Sequence, residues 1–162
     1  MILIGVGANL PGANAQPLES VHQLIDRLPD YGLRLLKSSP FYETPPLGPP
    51  GQPPYINAVM RVQACLSPHA LIRRLHQIEA DFGRTRRIKW GPRTLDLDLL
   101  DWHGHVLNGR LVLPHRGIEK RGFVLYPLRD VAPTWHHPET GRSVARLLRD
   151  LPVSERLKMR KL

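Results

Sequence analysis

Two hydrophobic periods alternate along the chain, and their order predicts its elements. Residues 1–7, MILIGVG, form a short apolar, β-branched run closed by glycine, the pattern of a buried strand. Asn14 and Pro17 open a helical stretch in which Leu18, Val21, Ile25 and Leu28 recur at turn spacing, until Pro29 and Gly32 stop it. Residues 33–42 read as a second strand and 57–65 as a third, with Ala58, Met60, Val62 and Ala64 on one face and Asn57, Arg61 and Gln63 on the other. Ser67 caps and Pro68 starts a second helix with the apolar stripe Leu71, Leu75, Ile78 and Phe82, closed by Gly83. Residues 94–102 read as a fourth strand, with Leu95, Leu97 and Leu99 opposite Asp96 and Asp98. A short helix is expected over 144–151, and 153–162 form a basic tail expected to fray. The order β-α-β-β-α-β predicts an α+β, ferredoxin-like core: an antiparallel sheet with helices packed on it, residues 1–162 forming a single domain.

Two segments break the periodicity. Residues 43–55, ETPPLGPPGQPPY, carry six prolines and two glycines, which excludes helix and central strand. Loops of this length in compact domains tend to be functional or disordered, and packed prolines favour the first by limiting the conformations available. Residues 84–94, RTRRIKWGPRT, are basic at five of eleven positions.

Composition changes the picture in two ways. At 162 residues the chain can bury a core without disulfides, and its lone Cys65 excludes both an internal disulfide and a Cys-rich metal site. Cys65 reads as buried apolar filler at a strand end. No apolar run approaches the roughly 20 residues of a membrane-spanning helix, and the N-terminus lacks the basic start of a signal peptide, so a cytoplasmic chain is expected. Lys and Arg outnumber Asp and Glu by 23 to 14, a net charge of +9, which favours anionic partners: polyphosphates, nucleic acid or a membrane face.

Placement of the charges narrows the choice. Side chains two apart on a strand share a face about 6.6 Å apart, so Asp96 and Asp98 form a carboxylate pair that suits a hard cation such as Mg²⁺. A bare D-x-D is more often a solvated strand face. Here it directly follows Arg84, Arg86, Arg87, Lys89 and Arg93, and a polyphosphate needs both cationic side chains and metal. No G-x-x-x-x-G-K-[ST] occurs, which excludes a P-loop.

KWGPRTLDLDLL (89–100) is similar to the signature of the 6-hydroxymethyl-7,8-dihydropterin pyrophosphokinase family. FYETPPLGPPGQPPYIN (41–57), RLVLPHRGIEKRGFVLYPL (110–128) and the opening GVGANL resemble three further blocks of that family, in the same order. The resemblance implies transfer of the terminal pyrophosphoryl group of ATP to the pterin hydroxymethyl oxygen, leaving AMP, in folate biosynthesis. It implies two Mg²⁺ ions held by Asp96 and Asp98, and catalytic roles for Arg84, Arg93, Asp96 and Asp98. ATP contacts are implied for Glu79, Arg84, Arg86, Lys89, Trp90, Arg93, Leu99, Arg110, His115 and Arg121. Thr44, Pro45, Leu47, Tyr55, Asn57 and Phe123 are implied to line the pterin pocket. The chain departs from the family pattern at Lys89, where arginine is common, and at Arg116, where an aromatic is usual. A monomer acting on small molecules, without nucleic acid or membrane, is the expectation.

Without the resemblance, Tyr55 and Phe123 would read as core aromatics, Arg110 and Arg121 as solvated charge, and His103, His105, His136 and His137 as surface residues. The competing function is a basic nucleic-acid-binding module on a ferredoxin-like sheet, but strands one and three lack the aromatic string such modules use.

Overall fold

The structure is a computed structural model that describes residues 1–12, 15–46, 51–83, 94–156 and 159–162. The predicted β-α-β-β-α-β core is present as β1 (Ile2–Ala8), α1 (Pro17–Arg27), β2 (Arg34–Ser38), β3 (Tyr42–Thr44), β4 (Tyr55–Gln63), α2 (Pro68–Asp81) and β5 (Asp96–Trp102). β1 lies between β5 and β4 and is antiparallel to both, and β4 pairs in turn with β2 and β3.

The predicted second strand splits in two because Pro40 offers no N–H to a ladder. Ser39 bridges the gap: its N–H donates to the Val59 carbonyl (2.9 Å), and its hydroxyl oxygen accepts from the Val59 N–H (3.0 Å). The third strand ends at Gln63, which leaves Cys65 in the following turn, exposed rather than buried.

Both faces of the sheet are covered. Ile2, Ile4 and Val6 of β1 join Met60 and Val62, Leu95, Leu97 and Leu99, and the buried stripes of α1 (Val21, Leu24) and α2 (Leu71, Leu75, Ile78). Leu3, Val59 and Leu100 face the other way, against α3 (Gly122–Val131) and α4 (Val144–Asp150). α3 carries Pro127 in its interior, which costs roughly 3 kcal/mol in a helix. Val124, Leu125, Leu128 and Val131 are all buried, and at roughly 1.5–3 kcal/mol each their burial outweighs that penalty.

A hairpin, β6 (Leu107–Asn108) with β7 (Val112–Leu113), follows β5. The C-terminal segment, expected to fray, instead forms one helical turn, α5 (Val153–Arg156), and a short strand, β8 (Arg160–Lys161), that pairs with β3. His137, expected at the surface, is buried. Its Nδ1 accepts from the N–H groups of Glu139 and Thr140 (3.3 Å each), and Nε2 lies 3.8 Å from Glu119. Among the described residues no helix is long and apolar enough to cross a membrane.

Candidate functional site

The site follows from the two-residue period of three adjacent strands. With Ile4 and Val6 turned into the α1/α2 core, Gly5 and Gly7 face the α3 side. The register places Gly5 between Asp98 of β5 and Val59 of β4, and Gly7 between Asp96 and Asn57. Two cross-strand rows result, Asp98–Gly5–Val59 and Asp96–Gly7–Asn57, with the acids on one flank and a floor that has no side chains. A Cβ at Gly7 would stand 3.5 Å from Asn57 Oδ1, 3.8 Å from Tyr55 and 3.9 Å from Asp96, filling the gap between them. A Cβ at Gly5 would meet Leu100 at 3.4 Å.

Above this floor is a cleft walled by Thr44, Pro45 and Tyr55 on one side and Arg121, Phe123 and Val124 on the other. Buried Asn57 donates from Nδ2 to Thr44 Oγ1 (2.8 Å), which fixes the orientation of its carboxamide. Buried Asn9, just past β1, donates to the Pro53 carbonyl (3.2 Å) and so ties the far end of the proline-rich loop to the sheet.

Asp98 faces His115, whose Nε2 lies 4.0 Å from Oδ1. His115 Nδ1 accepts from the Gly117 N–H (3.1 Å), so its ring proton sits on Nε2, toward Asp98. Burial, reinforced by the Arg121 charge, pushes the imidazole pKa below its ordinary value against the pull of Asp98 and Asp96, which keeps the ring neutral. Gly117 leaves room for the Arg121 guanidinium, which a Cβ there would meet at 2.7 Å and displace. That guanidinium in turn lies 5.7 Å over the Phe123 ring, a cation–π contact.

Thr44, Pro45, Tyr55, Asn57, Phe123, Asp96, Asp98 and Arg121 thus gather around one cleft, with His115 adjoining. Other expected site residues fall elsewhere. Glu79 is buried at the outer edge of β5, where its carboxylate accepts from the Leu97 N–H (2.8 Å). The Leu99 side chain is buried in the α1/α2 core, so any ligand contact there would have to come from its backbone. Arg110 is exposed at the turn between β6 and β7. Leu47, Arg84, Arg86, Lys89, Trp90 and Arg93 lie outside the described residues. Sequence reasoning missed the floor, Gly5 and Gly7, although glycine inside an apolar strand is itself a signal of close approach.

The Asp96–Asp98 pair suits a hard cation. Among the described residues no group of three or more His, Cys, Asp or Glu could hold a metal, so the protein would contribute two carboxylates and leave the remaining positions to water and phosphate. That division fits Mg²⁺, which keeps several waters and takes one or two carboxylates alongside substrate oxygens.

The cleft can be set beside known proteins. A curated relative from Pseudomonas aeruginosa, 2-amino-4-hydroxy-6-hydroxymethyldihydropteridine pyrophosphokinase, is 41% identical over 155 residues, covering 93% of this chain and 91% of its own. A relative of the same name from Methylorubrum extorquens is 40% identical over 131 residues, covering 80% and 81%. Among solved structures, an HPPK-DHPS crystallised with substrates superposes with a TM-score of 0.70 at 12% identity, over 91% of this chain and 42% of its own. An HPPK-DHPS triple mutant from Plasmodium falciparum with pteroate gives 0.69 at 12%, over 99% and 46%. This chain therefore spans less than half of those longer chains, and at that identity the likeness concerns the fold alone. The family model described as 7,8-dihydro-6-hydroxymethylpterin-pyrophosphokinase matches residues 3–133, and with the relatives of about 40% identity it shows that the chain belongs to this family.

Proposed function

We propose that residues 1–162 act as one catalytic unit that transfers the terminal pyrophosphoryl group of ATP to the hydroxymethyl oxygen of 6-hydroxymethyl-7,8-dihydropterin. The products are the pterin diphosphate and AMP, a step of folate synthesis. The observation that carries this reading is the pair of cross-strand rows, which sets two carboxylates on the flank of a side-chain-free floor beneath an aromatic-walled cleft.

The cleft suits a flat heterocycle. Tyr55 and Phe123 offer ring faces, and Asn57, held by Thr44, presents an amide that matches an amino-pyrimidone edge. Gly5 and Gly7 leave room beneath the ring. Asp96 and Asp98 would hold Mg²⁺, which when bound supplies charge neutralisation for the polyphosphate. Arg121 adds positive charge on the opposite wall, and Arg84, Arg86, Lys89, Trp90 and Arg93 of the basic segment would engage the nucleotide. In the transfer the hydroxymethyl oxygen bonds to the β-phosphorus, the bond from that phosphorus to the α-phosphate oxygen breaks, and the hydroxyl proton leaves, with Asp96 as its candidate acceptor. His115, its Nε2 proton turned toward Asp98 at 4.0 Å, borders that carboxylate, and burial disfavours its charged form.

The test is AMP formation from ATP and Mg²⁺ with and without the dihydropterin, in the unsubstituted chain and in Asp98→Ala. Pterin-dependent AMP that falls by about a hundredfold or more in the variant is expected. ADP in place of AMP, or turnover independent of pterin, would overturn the reading.

A further inference from the structure

The two walls of the cleft belong to elements far apart in sequence, and the C-terminal segment touches both. On one side, α5 packs against the start of α3. A Cβ at Gly122 would collide with the Glu155 carbonyl oxygen, and Met159 Sδ stands 3.6 Å from the same point. Gly122 lies between Arg121 and Phe123, which line the cleft. Arg156 anchors this turn by donating to the carbonyls of Leu151 and Arg149 (2.8 Å each).

On the other side, β8 pairs antiparallel with β3, with Lys161 opposite Tyr42 and Arg160 opposite Glu43. The Leu162 N–H donates to the Phe41 carbonyl (2.9 Å). Hydrogen-bonded pairs alternate along an antiparallel ladder, so the backbone of Arg160 is the next to bond, to Glu43, while that of Lys161 faces away. The side chains add two ion pairs, Arg160 with Glu43 (3.0 Å) and Lys161 with Asp130 of α3 (3.6 Å). β3 then runs directly into Thr44 and Pro45 of the cleft.

We infer that residues 153–156 and 159–162 form a positioning strap that sets the spacing between the Thr44–Pro45 wall and the Arg121–Phe123 wall, and so tunes affinity for the dihydropterin more than for ATP, which shares only Arg121 among these wall residues. This rests on the function proposed above. The ladder carries the effect rather than the ion pairs, because the Arg160 side chain is 70% exposed and water screens such a pair.

The experiment uses the full chain with Arg160→Pro, which removes the ladder N–H, and Arg160→Ala, which removes only the side chain. KM for each substrate, kcat and melting temperature are measured for both. Arg160→Pro is expected to raise KM for the dihydropterin about fivefold or more, with kcat and KM for ATP held within about twofold, while Arg160→Ala stays near the unsubstituted chain. Should Arg160→Pro not fold, Gly122→Ala displaces the strap at its other end and carries the same expectation. Unchanged KM values, or a rise shared equally by both substrates, or a lowered melting temperature alone, overturn the strap. Absence of pterin-dependent AMP in the unsubstituted chain overturns the function itself and this inference with it.

Discussion

At the scale of single residues, the cleft depends as much on missing atoms as on functional groups. Gly7 shows this best, because a Cβ there has ordinary van der Waals neighbours at 3.5–3.9 Å. Gly7→Ala therefore folds, and with fewer unfolded conformations to lose it gains up to about 1 kcal/mol of stability. The same methyl occupies the floor of the cleft, and we expect KM for the dihydropterin to rise about tenfold with no loss in melting temperature. A parallel pair of melting and steady-state measurements checks both halves, and a destabilised variant with unchanged KM would contradict the assignment of Gly7 to the floor. Asp96 and Asp98 were legible from the sequence because a strand's two-residue period needs no tertiary knowledge. Glu79 was not legible in the same way: the resemblance implied an ATP contact for it, whereas the packed structure has its carboxylate accepting from the Leu97 N–H.

At the scale of elements, β5 is held at its end as well as along its edge. The bulge at Leu100, where the β1–β5 register shifts, turns Asp101 inward. There its carboxylate accepts from Trp135 Nε1 (2.6 Å) and from the Gly104 N–H (2.7 Å). Asp101 thereby joins β5 to the segment between α3 and α4. Asp101→Ala leaves a buried indole N–H without its acceptor, and we expect a loss of roughly 2–4 kcal/mol in denaturant unfolding. Asp101→Asn keeps one acceptor oxygen and is expected to lose less. Equal stability of the alanine variant and the parent would remove this link from the account. Helix α2 was readable from its caps: Ser67 accepts from the Ala70 N–H (3.3 Å), and Gly83 adopts a φ of +78° just past it. α1 is capped instead by Gln16, and Asn14, expected to open it, lies outside the described residues. The division of the second strand turned on one residue, Pro40, and on whether a neighbouring side chain could replace the lost ladder bond, which Ser39 does.

At the scale of the whole molecule, the sheet is sandwiched between α1 and α2 on one face and α3 and α4 on the other, and the cleft opens where the second layer stops short. Tyr42 spans that junction, donating from its hydroxyl to Asp130 of α3 (2.6 Å). Burial, then the Asp130 hydrogen bond, raises the phenol pKa from 10.0 to about 12. Above pH 10.0 the unfolded chain releases this proton while the folded chain still holds it, so stability is intact below pH 10.0 and falls as pH rises toward about 12. The stability advantage of the parent over Tyr42→Phe should therefore shrink across that window, and a constant difference would contradict the raised pKa. The order of the core elements through β5, apart from the division at Pro40, and the faces of Asp96 and Asp98 were determined by the sequence alone, because helical and strand periods and the φ limits of proline and glycine act within a few residues. α3, with Pro127 in its interior, was not read from the sequence. Which strands became neighbours was decided only by the tertiary structure. So were the burial of His137, the exposure of Cys65, and the return of the C-terminal segment to β3. These depend on apolar area removed from water between segments up to a hundred residues or more apart, a quantity that no local pattern contains.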